Sequence, residues 1–339
     1  MAKLVRLSAA LVLTVASISL AACGGQSLSQ NSAGGTVVPA GAARDGSIAA
    51  ANAAAQNWSV LAGGNVHDQA FQALDFFDEN ITIDAGDSIT WTANGADEPH
   101  TVTFLGPVLA PPPPGDPANA LPAGGSRYDG GAYTSSGFIA LGQKYTLTFP
   151  KPGVYPYLCL IHQPVMTGIV TVQARGTPYP HPQSFYTAQG QLALNSALEA
   201  AQKSVHAFPY PSGGTTLAAG ISPNLAAGPP FNATVLRFLD GDTLERTSIT
   251  IAVGTTLTWV NQSNNEPHTV TFPILGHQPP QNPGEPASGG HTYDGTKLVN
   301  SGQLFPGNSF SLTFTKPGTY TYYCLFHDVS GMIGTVIVH

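Results

Sequence analysis

Apolar and polar positions alternate with a period of two over short runs along most of this chain. In "ITI" (Ile81–Ile83 and again Ile249–Ile251), "SITW" (Ser88–Trp91), "TVTF" (Thr101–Phe104 and Thr269–Phe272) and "YTLTF" (Tyr145–Phe149), β-branched or aromatic residues alternate with small polar ones. Glycine and proline turns divide these runs at close spacing, which predicts half-buried strands of a sandwich or barrel. In "KPGVYPYLC" the alternation puts Tyr155, Tyr157 and Cys159 on one face, and in "KPGTYTYYC" Tyr320, Tyr322 and Cys324. Both thiols are therefore expected to face an interior, in line with aromatic rings. Pro156 interrupts the first of these strands without a donor and is expected at an edge or bulge. In "QGQLALNSALEAAQKSVHAF" the period changes: Leu194, Leu198, Ala201, Val205 and Phe208 follow helical spacing and predict one amphipathic helix packed against a sandwich. The next stretch, "PYPSGGTTLAAGISPNLAAGPP", reads as loop.

The strand pattern is written twice. "ITIDAGDSITW" (Ile81–Trp91) aligns with "ITIAVGTTLTW" (Ile249–Trp259), and "EPHTVTF" from Glu98 recurs unchanged from Glu266, both 168 positions later. Beyond these, "YDG" at Tyr128 and Tyr293, "KPG" at Lys151 and Lys316, and the pair Cys159 and Cys324 are 165 apart, so one copy has lost a net three residues after "HTVTF". This is a duplicated domain.

Length and composition agree. The 339 residues are enough for two domains, and 42% hydrophobic content is ample for their cores. Only 9% of residues are charged, against roughly 25% in ordinary soluble domains, which favours strands and turns over charged helices. The net charge is −7 without any Lys/Arg cluster, so the footprint of a nucleic-acid binder is missing. At the N-terminus, Lys3 and Arg6 precede the apolar "LSAALVLTVASISLAA", a targeting segment too short for a membrane span. "LAAC", Leu20–Cys23, resembles the lipobox of bacterial lipoproteins, which implies lipidation of Cys23; the alternative is an ordinary cleaved signal. The expected organisation is a signal peptide over 1–22, a Gly/Ala/Ser-rich flexible linker over 23–59, a first domain over 60–175, a helix-bearing linker over 176–230 and a second domain over 231–339. The product is then exported and lipid-anchored on the outer face of a bacterial membrane, periplasmic or at the cell surface, touching the membrane only through its anchor.

The chemistry lies in the repeated residues. His268 ends a turn after a strand, and Cys324, His327 and Met332 follow as a C-x2-H-x4-M loop. Two imidazoles and a thiolate with a long axial thioether are the ligand set of a blue-copper electron-transfer site, whereas structural zinc takes four Cys/His ligands. Taken singly, the cysteine reads as a small hydrophobe, the histidine as a hydrogen-bonded residue and the methionine as a gap filler. Recurrence of the set in the same order outweighs those readings. A Cys159–Cys324 disulfide is the other alternative, and it would require two equivalent interiors to meet.

Both copies resemble cupredoxins of the plastocyanin/azurin family in the early histidine before "TVTF", the "PG-x-Y-x-Y-x-C" strand and the C-x-x-H…M loop. The resemblance covers about Val60–Gln173 and Phe231–His339 and implies an all-β protein: two tandem Greek-key sandwiches joined by a segment containing one helix. It implies copper at two type 1 sites, with ligands His268, Cys324, His327 and Met332 in one copy and His100, Cys159, His162 and Met166 in the other. The first loop has three residues rather than four between its second histidine and Met166, a length that varies among related cupredoxins. Thr101 and Thr269 stand where plant plastocyanins carry asparagine after the first ligand, while Glu98-Pro99 and Glu266-Pro267 are expected to shape the approach to it rather than bind metal, with tuning of the site from outside the ligand set as the alternative. His67, His181, His206, His277, His291 and His339 do not recur at equivalent positions and read as non-ligands; the "YDG" motifs read as turns with packed tyrosine rings.

The implied function is one-electron transfer, with redox protein partners docking near His162 and His327 over Leu160, Ile161, Leu325 and Phe326. Two-domain copper oxidoreductases place a histidine beside the copper cysteine, but these cysteines sit in "LCL" and "YCL", and no H-x-H pair exists for a second kind of copper centre. Catalysis is therefore not expected. Copper binding or delivery without electron transfer needs the same ligands and remains the alternative.

Overall fold

The computed structural model describes residues 54–66, 70–95, 99–108, 110–114, 116–209, 214–222, 233–240, 247–264 and 266–339. The targeting segment, Cys23, His67, Glu98 and Phe231 lie outside the described residues.

The first half contributes β1 (Asn57–Val66), β2 (Phe71–Phe77), β3 (Asn80–Asp84), β4 (Ser88–Ala93), β5 (Thr103–Phe104), β6 (Thr134–Ser135), β7 (Lys144–Thr148), β8 (Gly153–Leu158) and β9 (Thr167–Gln173). The helix α1 (Gln183–Ala207) follows. The second half contributes β10 (Thr216–Ile221), β11 (Ala233–Leu239), β12 (Ser248–Ile251), β13 (Thr256–Gln262), β14 (Thr271–Phe272), β15 (Thr292–Tyr293), β16 (Val299–Asn300), β17 (Ser309–Phe314), β18 (Gly318–Tyr323) and β19 (Ile333–Val338). Among the described residues the molecule is all-β with one α-helix, as the alternation implied.

Each half is a sandwich, and the two share a sheet. Nine strands run in the order β15-β17-β13-β10-β11-β2-β1-β4-β7, and two five-stranded sheets, β3-β9-β8-β5-β6 and β12-β19-β18-β14-β16, complete the halves. Period-two burial decides what each sandwich encloses. Along β4, Ile89, Trp91 and Ala93 point inward to meet Tyr155 and Tyr157 of β8 in the first core. Leu257 and Trp259 of β13 meet Tyr320 and Tyr322 of β18 in the second. Cys159 and Met166 belong to the first core, Cys324 and Met332 to the second.

The halves are joined where β2 pairs antiparallel with β11 through Ala73–Ala233, Gln72–Thr234 and Phe71–Val235. A third core lies over this seam and is built from both halves and the helix. Leu194, Ala197, Leu198, Ala201 and Val205 of α1 pack on Phe71, Ala73 and Phe77 of β2, Ala218 and Ile221 of β10, and Ala233, Val235 and Leu239 of β11. Phe208, the C-cap of α1, packs partly buried against the same cluster.

Two expectations are corrected here. The stretch read as loop contains β10, which pairs antiparallel with β11 and parallel with β13. Leu217 and Ala219 face the second core while Ala218 and Ile221 face the helix, so β10 is buried on both sides and shows no alternation. Its small residues imitate loop composition but serve close packing. Likewise β1 starts at Asn57, within the segment expected as linker, because it adds parallel to β4 from Asn57–Ser88 onward.

Pro156 is not on an edge strand. It stands opposite Ile169 of β9, and the Ile169 amide turns away to donate to the Glu79 carbonyl at 2.9 Å. On the other side of β8, β5 pairs only at Leu158. No ladder bond is lost at Pro156, which answers the missing donor. Among the described residues no helix is long and apolar enough to cross a membrane.

Truncation at the seam should be costly. Leu198→Ala is expected to lower stability by about 2–5 kcal/mol, read from urea unfolding. Leu192→Ala, on the exposed side of α1 at 61% exposure, should stay within about 0.5 kcal/mol.

Candidate metal centres

The turn after β4 carries His100, which is clamped to Ile139 by two backbone bonds: its amide donates to the Ile139 carbonyl at 3.0 Å and its carbonyl accepts at 2.8 Å. His268 is held the same way against Leu304, at 3.0 and 2.7 Å. Cys159 follows β8 and Cys324 follows β18, each continuing its strand's inward face. The loops after them close back on themselves. The Cys159 amide donates to the Met166 carbonyl at 2.9 Å and the Met166 amide to the His162 carbonyl at 3.0 Å; for Cys324, Met332 and His327 the distances are 3.1 and 2.9 Å. Both methionines are thus tied back to their cysteine and histidine whether three residues or four intervene. The longer loop absorbs its extra residue in a turn closed by the Gly331 amide on the Asp328 carbonyl at 2.9 Å.

The side chains of each copy converge. Nδ1 of His100 lies 3.2 Å from Nδ1 of His162, which is 3.5 Å from Sγ of Cys159. In the second half, Nδ1 of His268 lies 3.1 Å from Nδ1 of His327, and these lie 3.7 and 3.3 Å from Sγ of Cys324. Within each group the three donor atoms lie within 4.8 Å of one another. The six side chains are essentially inaccessible to solvent, His327 being the most exposed at 1%. Both cysteines are free thiols, so the disulfide alternative is not realised.

Burial pushes the Cys159 thiol up, but the imidazoles of His162 and His100 outweigh it and hold the thiol well below its ordinary range. At Cys324 burial is likewise outweighed, chiefly by His327 and then by a hydrogen bond to His268, and the thiol is lowered to about 5. A thiolate and two ring nitrogens facing one point in a dry interior suit a soft cation, which gives all three lone pairs one partner. The donor set therefore fits copper in both halves.

Several supporting residues were not legible as such. The Thr101 amide donates to Sγ of Cys159 at 3.3 Å while the Thr101 hydroxyl accepts the Leu160 amide at 2.7 Å. Thr269 does the same for Cys324 and Leu325 at 3.4 and 2.7 Å. Each threonine therefore stitches the first-ligand turn to the cysteine loop. Gly63 and Gly220, at φ 75° and 70°, lie against the first histidines: a Cβ on either would stand 2.1 Å from Nε2 of His100 or His268. "LAGGN" and "LAAGI" carried no strand signal in the sequence, and only the strands β1 and β10 turn these glycines into marks of close backbone approach.

Glu266 reaches the other half. Its side chain is buried, and Oε1 lies 3.4 Å from Nε2 of His162, a ligand candidate of the other half. The apolar neighbours expected to form a docking patch are largely interior: Leu160 and Leu325 are buried, and Ile161 and Phe326 are half-buried against the cores. Tyr128 and Tyr293 are packed rings beside turns at Gly130 and Gly295. His181 stacks on Phe185 with centroids 3.8 Å apart, and Nδ1 of His291 lies 2.9 Å from the Ser311 carbonyl oxygen.

Paired buried His-Cys-His groups in tandem sandwiches define a two-centre copper protein of the cupredoxin type. The sequence profile of the family described as "Copper binding proteins, plastocyanin/azurin family" matches residues 64–173 and 241–339, and the chain belongs to that family. Similar proteins include the chloroplastic plastocyanin of Tetradesmus obliquus, 37% identical over 103 residues that make up 30% of this chain and 60% of that protein. Plastocyanin of Scenedesmus fuscus is 36% identical over 95 residues, 28% of this chain and 84% of the relative. Among solved structures, a "Novel Purple Cupredoxin from Nitrosopumilus maritimus" aligns at 23% identity and a TM-score of 0.23, covering 37% of this chain and 99% of that one. The cofactor is copper, with two sites.

Gly220→Ala should drive a methyl into the His268 ring and remove one copper, leaving about one per chain by elemental analysis. Gly125→Ala, which meets nothing within 4 Å, should leave the copper content of the parent protein unchanged.

Proposed function

We propose that this protein is an exported carrier of single electrons, holding one copper in each half. His100, Cys159, His162 and Met166 are the ligands of the first centre, and His268, Cys324, His327 and Met332 those of the second. The observation that carries this reading is the burial of two Nδ1 atoms and one thiolate facing a common point in each half. Copper bound there supplies a one-electron couple.

The chain's own residues keep the cage constant. The clamps at Ile139 and Leu304, the threonine stitches and the closed methionine loops hold the donors in place without help from solvent. Such a cage offers a substrate no route to the donors, which supports a carrier over an enzyme. It also disfavours delivery, which requires ligands that a recipient can reach. The targeting segment and the "LAAC" string support export with a lipid on Cys23, and hence placement on the outer face of a bacterial membrane. Redox protein partners dock over the His327 loop, where Val329 is 74% exposed, rather than at the His162 ring, whose edge faces Glu266.

Titration with Cu(II) should give an intensely coloured protein that saturates near two equivalents. Cys159→Ser and Cys324→Ser should each remove one equivalent, and the double variant should stay colourless. In stopped flow against a reduced protein carrier, the copper-loaded chain should exchange electrons within milliseconds to seconds. Failure to exchange, together with ready release of copper to chelators, would replace the carrier reading with delivery.

A further inference from the structure

We infer that Glu266 is a positioning residue of the first metal centre, contributed across the seam by the second half. The inference rests on the ligand assignment proposed above. Nδ1 of His162 faces His100 and Cys159, so Nε2 is the outward nitrogen of that ring, and Oε1 of Glu266 is 3.4 Å from it. That separation is slightly long for a hydrogen bond and within ion-pair range. For Nδ1 to present its lone pair to a metal, the ring proton must sit on Nε2. A carboxylate facing that position selects this tautomer and fixes the ring's orientation.

The placement of Glu266 is built rather than incidental. Its carbonyl accepts from the Asn261 side-chain amide at 2.7 Å and the Ser263 hydroxyl at 2.8 Å. The same Asn261 amide donates to the Leu304 carbonyl at 2.7 Å, the residue that clamps His268. One turn thus presents His268 to the second centre and Glu266 to the first. Burying a carboxylate is costly unless it is paired, and the imidazole edge of His162 is one such partner. The His162 edge is therefore an internal contact, and the first centre is complete only with the second half docked.

The two centres can be read separately in the full chain. In a Cys324→Ser background, which silences the second centre, Glu266→Ala should weaken Cu(I) binding at the first by about 10–100-fold in competition with a chelator. Glu266→Gln, which keeps an acceptor oxygen at the same reach, should recover most of that loss. In a Cys159→Ser background, Glu266→Ala should change the affinity of the second centre by less than about 3-fold, well below the effect expected at the first. Independently of any variant, 15N spectra of the histidine-labelled, metal-free chain should show Nε2 of His162 protonated. An Nε2 of His162 without a proton, an unchanged first centre in Glu266→Ala, or an equal loss at both centres would each overturn the inference. Metal retained at the first centre after Cys159→Ser would instead overturn the ligand assignment itself.

Discussion

The three-residue pairing of β2 with β11 is the constraint from which the rest of this molecule follows. Two copies of a sandwich joined only by a tether would sample many orientations. Main-chain hydrogen bonding across the seam makes their inner sheets one sheet and fixes both register and direction. The helix then has a defined surface to cover, and its apolar stripe buries residues from both halves at once. Small side chains along the seam, Ala73, Ala218 and Ala233 among them, let the helix approach the sheet. The linker between the repeats is thereby a structural layer, and the described residues from 54 to 339 belong to one compact unit.

Within each half the controlling physics is the burial of groups that water would otherwise solvate. An imidazole pair and a thiolate in an apolar interior are costly without partners, and the surrounding backbone supplies part of the compensation through threonine amides aimed at sulfur. A metal ion supplies the remainder. The supporting clamps come from residues far apart in sequence, so the geometry of the donors is a property of the folded sandwich and not of the C-x2-H loop alone.

Duplication did not leave the halves equivalent. Arg237, on the seam strand β11, is buried and donates from Nη1 to the Ser330 carbonyl at 2.6 Å, tying the loop between His327 and Met332 to the seam. Across the same seam, Glu266 of the second half meets His162 of the first. Both centres thus depend on the junction through different residues. A change at the seam reaches each centre by a different path.

What the sequence determined by itself was the local chemistry. Period-two runs specified strands, the inward faces ending in Cys159 and Cys324 followed from the pleat, and the repeated order of His, Cys and His pointed to the side chains that the fold gathers in each half, because each of these is a short-range property of spacing. The helical stripe of α1 was legible for the same reason. The tertiary structure alone decided the rest. β10 looked like loop because a strand buried on both faces has no alternation to read, and its alanines gain meaning only between a core and a helix. Thr101, Thr269, Gly63 and Gly220 matter through atoms that meet from distant segments. Glu266 resembled a local shaper of His268, yet its carboxylate lies against a histidine of the other repeat. No pattern within one repeat contains that contact, since it exists only once the two sheets have become one.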